Sequence, residues 1–293
     1  MFKFYFILLF TPLLTQTISD NAYTHAEVSA MAGAVVAETG SNWSIFHNPA
    51  GITEVDGLQV SLGGGRLYGY DWLPASNLSC TTPIPKIGTI GFAFQQLETK
   101  YSGKTLSKEQ TLSIAQGFEL QHDKNSRLAI GYTANFVQWD LGRSAGVSGD
   151  GSDGLDLGSI NSITIDFGVL SSLREKYRFG VMLKNINSGA LGKGMTRQVL
   201  PRRINVGITY MPMKGLATSI VSEYLLGRDD MQIKAAIRYN LNSNLEIYAG
   251  AQSNPNRFGM GATFTLNQQS VSYGLLTHPV LPMTHQFNIG LSL

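Results

Sequence analysis

The sequence predicts an all-β fold: a transmembrane antiparallel β-barrel of about fourteen strands, with a short N-terminal helical hatch as its plug. Three observations predict it. Apolar and polar residues alternate with a period of two through most of the chain beyond residue 57. The polar side of that alternation consists of small residues. The connections between strands alternate between short and long.

Composition sets the frame. The chain has 293 residues, enough for one large domain, and only 14% of them are charged, against roughly 25% in an average soluble domain. Glycine is abundant at 32 residues. The net charge of +2 is small and evenly spread, so no nucleic-acid partner is expected. Cys80 stands alone, which excludes an intramolecular disulfide and a cysteine-rich zinc site.

Residues 1–19 read as a signal peptide. Lys3 precedes an apolar run from Phe4 to Leu14, too short to span a bilayer as a helix and suited to a signal core. Its end falls between residues 17 and 26, since Thr17/Ser19 and Thr24/Ala26 both offer small residues at cleavage spacing. Residues 20–56 are assigned to the hatch. Ala26 to Ala37 is small, weakly apolar and helix-capable; a lipid-facing helix would be greasier and a periplasmic linker more polar. Close packing inside a lumen is the remaining use for such a run. Next comes "SIFHNPAGI". Pro49 should bias His47 and Asn48 away from helix and Gly51 should permit a sharp exit. Phe46, Asn48, Pro49, Ala50 and Gly51 are therefore expected to form a fixed kink that anchors the hatch to the wall.

Residues 57–293 are assigned to the barrel. In "QFNIGLSL", Phe287, Ile289, Leu291 and Leu293 share one face, opposite Gln286, Asn288, Gly290 and Ser292. "RFGMGATFTL", "RLAIGYTANF", "SITIDFGV" and "RRINVGITY" repeat the pattern. Strands of eight to ten residues or more, read directly from such stretches, exceed the roughly five or six usual in a soluble sandwich and match a tilted bilayer crossing. Apolar side chains then face lipid and small polar ones the lumen, with closure demanded because an open edge in hydrocarbon leaves backbone groups unpaired.

The strands are expected near 57–64, 66–73, 86–96, 107–120, 126–139, 160–170, 176–186, 201–212, 215–226, 229–240, 244–252, 257–266, 269–278 and 284–293. Short links such as "SSLREK", "PMKG" and "NQQ" alternate with longer ones at Glu98–Leu106, Asp140–Ser159, Asn187–Leu200 and Pro279–Met283. Short turns belong to the periplasmic end and long loops to the outside. The link "PASNLSCTTPIP" breaks this order, being long on the short-turn side. Tyr68, Tyr70, Trp72, Tyr101, Trp139, Tyr177, Tyr210, Tyr224 and Tyr239 gather near strand ends, where interfacial girdles belong.

The expected lumen face carries Arg127, Arg178, Lys184, Arg203, Lys234, Arg238 and Arg257 against Glu119, Asp166 and Glu246. That basic excess would suit an anionic cargo; alternatively, the charges pair across the interior and with the hatch. Asp150, Asp153 and Asp156 lie on one loop, but their spacing fails the calcium-loop pattern. His278 and His285 flank a proline-containing loop, where strand-end hydrogen bonding is expected rather than a metal. No catalytic site is assigned: nucleophile-elbow, phosphate-loop and zinc-helix motifs are missing from the sequence, and Ser44, His47 and Asp56 are close in sequence only. No cofactor is expected.

"AMAGAVVAETGSNWSIFHNPAGI" resembles the start of the FadL-type outer-membrane superfamily, and more closely its PorV/PorQ branch. The likeness rests on Ala30, Gly33, Ala34, Val36, Ala37, Phe46, Asn48, Pro49, Ala50 and Gly51. His278, Pro279, Leu281, Thr284 and His285 match that branch near its last strand, with Pro282 replacing a glycine, and "GLDLG" (154–158) fits its entry to a middle strand. The resemblance implies a fourteen-stranded barrel in the bacterial outer membrane with a lumenal hatch. From the PorV/PorQ branch it implies a non-enzymatic accessory or partner in type IX secretion or envelope assembly, contacting secretion-system or secreted proteins. From the wider superfamily it implies the alternative, a transporter of hydrophobic small molecules through a lateral opening beside the hatch. The outer loops are short for a large apolar capture site, which favours the partner role.

Overall fold

The computed structural model describes residues 24–101, 104–144, 146–149, 152–192, 197–227 and 231–293. The expected signal peptide and Asp150 lie outside them. Fourteen strands close into one antiparallel barrel, in the order β1, β16 down to β10, then β7 down to β2. They are β1 (Gln59–Arg66), β2 (Pro74–Ile84), β3 (Gly88–Tyr101), β4 (Lys104–His122), β5 (Ser126–Asp140), β6 (Ser159–Leu173), β7 (Tyr177–Lys184), β10 (Arg203–Met213), β11 (Leu216–Leu225), β12 (Met231–Asn240), β13 (Leu245–Gln252), β14 (Arg257–Leu266), β15 (Gln269–Leu276) and β16 (Thr284–Ser292). A two-stranded ribbon, β8 (Ala190–Leu191) with β9 (Gln198–Val199), sits in the loop after β7. Closure runs from Gln59↔Ser292 to Arg66↔His285.

The lipid face is the apolar face of the alternation. Ile289, Ile163, Phe258 and Ile114 are more than half exposed, while their neighbours Asn288, Thr164 and Ser113 are buried in the lumen. Tyr177 and Tyr210 stack at 5.1 Å at the short-turn end, and Tyr70 and Trp72 at 5.0 Å at the other.

Two expectations about strands are corrected. The second strand is 74–84, not 66–73. "RLYGYDW" is an outer turn, with Tyr68 at φ 52° and Gly69 at φ 68°, and "PASNLSCTTPI" is the strand. The exception to the alternation of loop lengths thereby disappears, since only residues 85–87 separate β2 from β3. Most of the expected loop Glu98–Leu106 is strand too: β3 runs to Tyr101 past a bulge at Thr99/Lys100, β4 starts at Lys104, and Glu98 stands opposite Lys108. Beyond the membrane both faces of a strand meet water, so period-two apolarity gives no signal there. β4, with 19 residues, is roughly 65 Å long at about 3.4 Å per residue. β7, with 8 residues, reaches roughly 27 Å on the same rise, so one side of the barrel overtops the other.

The N-terminal segment fills the bore, though less of it is helical than the composition implies. Helix α1 covers Ala26–Ala30 only; tight turns follow, with Ala32 at φ 48° and Gly33 at φ 77°. Helix α2 (Ser44–His47) runs straight into a 3-10 turn at Pro49–Glu54, so Pro49 makes Asn48 extended but leaves His47 helical. Gly51 is needed for closeness rather than for a sharp exit: a Cβ there would lie 2.7 Å from the Glu38 carbonyl oxygen. Val28, Met31, Val35, Ile45 and Ile52 form the buried apolar centre with Ala93, Ala115, Met182 and Val221 of the wall. Small lumen residues allow this approach; a Cβ on Gly131 would lie 2.4 Å from the Pro49 carbonyl carbon.

Candidate functional site

The kink touches the wall through β5 and β6. Asn48, almost wholly buried, donates from Nδ2 to the carbonyl oxygens of Val36 at 2.6 Å and Val169 at 3.3 Å. Its Oδ1 accepts from the Ala50 N–H at 3.2 Å, which caps the 3-10 turn. Pro49 and Ala50 lie over Gly131, and Phe46 borders the small outer cavity described below.

Three glutamates of the segment dock it further. Glu27 accepts from Trp43 Nε1 at 2.6 Å and, on its other oxygen, from Ser272 at 3.0 Å and Thr263 at 3.2 Å. Glu38 is 3.0 Å from Arg238 and accepts from Ser219 at 2.9 Å and Thr209 at 3.2 Å. Glu54 is 3.2 Å from Arg178 and accepts from Thr39 at 2.7 Å. Arg238 also holds Glu246 at 3.1 Å, which accepts from the Tyr248 hydroxyl at 2.6 Å.

The remaining lumen charges form an outer cluster. Glu223 is 2.6 Å from Arg203 and 2.8 Å from Lys234. Asp166 accepts from Asn135 at 2.8 Å and from the Asn185 N–H at 2.7 Å, with Lys184 close enough to act on it electrostatically. Arg257 lies at the outer end of β14, Arg127 at the periplasmic end of β5, and Glu119 pairs with His122 at 2.9 Å near that rim. The basic excess counted on the wall is thus largely met by acids of the hatch and by Glu223. Glu223 stands on the polar side of "LATSIVSEYL" and was legible there. Glu27 and Glu38 bracket an uncharged run, a signal that those carboxylates need partners.

Two histidines, His25 buried and His47 half-buried, belong to the same segment. His47 Nε2 lies 3.2 Å from Thr24 Oγ1. Burial holds its pKa well below the usual imidazole range, helped by Lys184, Lys234 and His25. Neither nitrogen of His25 has a hydrogen-bond partner among the described residues, and burial lowers its pKa against the opposing pull of Glu27. Ser44, His47 and Asp56 form no relay: His47 turns to Thr24, and Asp56 is exposed. His285 bonds to the Tyr273 hydroxyl at 2.8 Å, while His278 Nδ1 accepts from the Leu281 N–H at 3.0 Å. Asp153 is engaged by the Val147 and Ser148 N–H groups at 3.1 and 3.2 Å, and its bonds to Ser148 lower its pKa.

Two spaces in the bore are lined by described residues. The outer one holds about 70 Å³ and is lined by Phe46, Asp166, Lys184, Asn185, Arg203 and Glu223 among others. The periplasmic one holds about 500 Å³ and opens at the short turns. Beside the outer cavity β7 stops at Lys184. From there the Asn185 N–H reaches Asp166, the Ile186 N–H the Ile165 carbonyl at 2.9 Å, and Asn187 Nδ2 the Ile163 carbonyl at 2.8 Å.

Solved structures of similar fold include a hydrocarbon channel and toluene transporters. The CymD monoaromatic hydrocarbon channel has a TM-score of 0.66 at 14% identity, over 93% of this chain and 98% of that one. The Ralstonia pickettii toluene transporter TbuX gives 0.61 at 11%, over 93% and 98%. The Pseudomonas putida toluene transporter TodX gives 0.56 at 14%, over 92% and 96%. At such identities the likeness establishes the fold. No curated protein matches the sequence. Residues 71–290 match the family model described as type IX secretion system membrane protein PorP/SprF. The match names PorP/SprF in place of the PorV/PorQ branch that the chain ends resemble, and keeps the secretion system. With most of its length matched, the chain belongs to the PorP/SprF family of type IX secretion system membrane proteins.

Proposed function

We propose that this protein is a non-enzymatic outer-membrane barrel that acts as a partner or accessory in type IX secretion, holding other proteins at its ends rather than passing a solute. The hatch tied across the bore carries this reading. Small-molecule sites occupy about 300–1,000 Å³ and are mostly apolar; the cavity at Phe46 holds about 70 Å³ among four charged side chains, and the space of about 500 Å³ at the short turns has the volume but is lined by Arg127, Arg174, Lys176, Arg178, Lys214 and Arg238. The hatch below the Phe46 cavity is fixed by part-buried ion pairs and by the buried Asn48. Family membership supports the same role. A closer tie to the PorV/PorQ branch rests on the "HNPAG" segment, which precedes the matched residues.

Transport of hydrophobic molecules is the second reading. It is supported by the fold shared with hydrocarbon channels and by the irregular wall after Lys184, the place where a lateral opening would form. Co-purification from native membranes separates the two. Secretion-system or secreted proteins recovered with the barrel support partnership, whereas a lone barrel carrying bound lipid refutes it in favour of transport.

A further inference from the structure

The periplasmic space is unlike the rest of the lumen, because its charges are not balanced. Arg178 and Arg238 on its wall are held by Glu54, Glu38 and Glu246. Arg127, Arg174, Lys176 and Lys214 line the same space and have no ion-pair or side-chain hydrogen-bond partner among the described residues. Glu175 is the one other carboxylate lining it. Four cations therefore face one carboxylate around a mouth of about 500 Å³.

The turn that carries two of them is built against local preference. Arg174 and Glu175 both adopt φ 54°, at the centre of a hairpin where Asn-Gly is the usual choice. Left-handed backbone disfavours such side chains. Lys176 adds its carbonyl to the wall, accepting from the Met211 N–H at 2.8 Å. Met211 and Met213 bring adaptable apolar surface to the same space.

We infer that this mouth is a docking site for an acidic peptide segment of a periplasmic protein, its carboxylates meeting Arg127, Arg174, Lys176 and Lys214 and its apolar side chains the methionines. Lipid headgroups surround the outside of the barrel, whereas these cations line a space inside the ring of turns. A small free anion has no use for the apolar wall. The identity of the occupant as a protein rests on the partnership reading above; the excess of cations does not.

The test uses the full barrel in detergent. A short fluorescein-labelled peptide alternating Glu and Leu is titrated by anisotropy, beside the same peptide with Gln for Glu. The expected result is saturable binding of the acidic peptide only. It weakens about tenfold or more in R174E/K176E/K214E and falls steeply with added chloride. The neutralised variant K176Q/K214Q should weaken binding to a lesser degree, and retains a reading if the triple reversal fails to fold. Equal binding of the Gln peptide, or indifference to both variants, overturns the proposal. Displacement by inorganic pyrophosphate far below the effective chloride concentration also overturns it, in favour of a small-anion site. A barrel that binds the peptide yet brings down no secretion component keeps the docking site and sinks the secretion role. Secretion components retained on a barrel without peptide binding do the reverse.

Discussion

Replacing Glu38 with alanine should loosen the hatch while leaving the barrel intact. Glu38 is buried and contacts Arg238 at 3.0 Å, Ser219 at 2.9 Å and Thr209 at 3.2 Å. Its loss does not strand the arginine, which keeps Glu246 at 3.1 Å, nor the two hydroxyls, which bond each other at 2.8 Å. What disappears is chiefly one charge-assisted contact, worth about 1.5–3 kcal/mol. At tenfold per about 1.4 kcal/mol, hatch opening becomes roughly ten- to hundredfold more frequent. Arg238→Ala should act more strongly, by about 3–5 kcal/mol, because it leaves both Glu38 and Glu246 in the bore without their cation. Hydrogen exchange read by mass spectrometry on peptides from residues 26–56 and from the strands measures both. Equal acceleration in strands and hatch, or a larger effect for Glu38→Ala than for Arg238→Ala, would refute the assignment of these groups as hatch ties.

Three further outcomes are expected. His25 and His47 have folded-state pKa values below their unfolded ones, so folding favours the neutral rings. Their contribution is complete above about pH 6.5 and is lost as pH falls below it toward the lowered folded values; the thermal midpoint should drop over that window, and less so in His47→Gln. Gly131→Ala places a Cβ 2.4 Å from Pro49 backbone, and overpacking of about 1–3 kcal/mol should make the hatch sensitive to limited proteolysis. Ile289→Arg puts a charge on the lipid face, where Ile289 is 63% exposed; equilibrium refolding into vesicles should show a loss of about 2–4 kcal/mol if the site lies near the midplane.

The barrel was legible because lipid and lumen impose opposite chemistry on successive residues. The sequence reading failed where that opposition weakens. In β2 the outward residues Ser76, Leu78, Cys80 and Thr82 include only one large aliphatic, and Pro74 and Pro83 look like turn formers although both sit near the ends of the ladder. The aromatic "RLYGYDWL" imitated a membrane strand from the outer rim. The hatch was legible as small, tightly packed chain, but its path was not. Turns at Ala32 and Gly33 depend on what the wall permits, and no local pattern encodes the wall. Asn48 and the lumen cations could be singled out in the sequence because their types are out of place where they stand. Their partners were missed, since Glu38–Arg238 spans two hundred positions, as the residue numbers show.

The uneven height of the wall has a geometric consequence for anything arriving from outside. At a tilt of about 40°, β4 rises roughly 50 Å, some 20 Å more than the hydrocarbon layer needs. β3 to β6 thus stand above the outer surface like a palisade around part of the mouth, with Lys104, Lys108, Glu98 and Lys100 along it. A visitor must come in over the low side, across β7 and β10 to β16, or grip the fence itself.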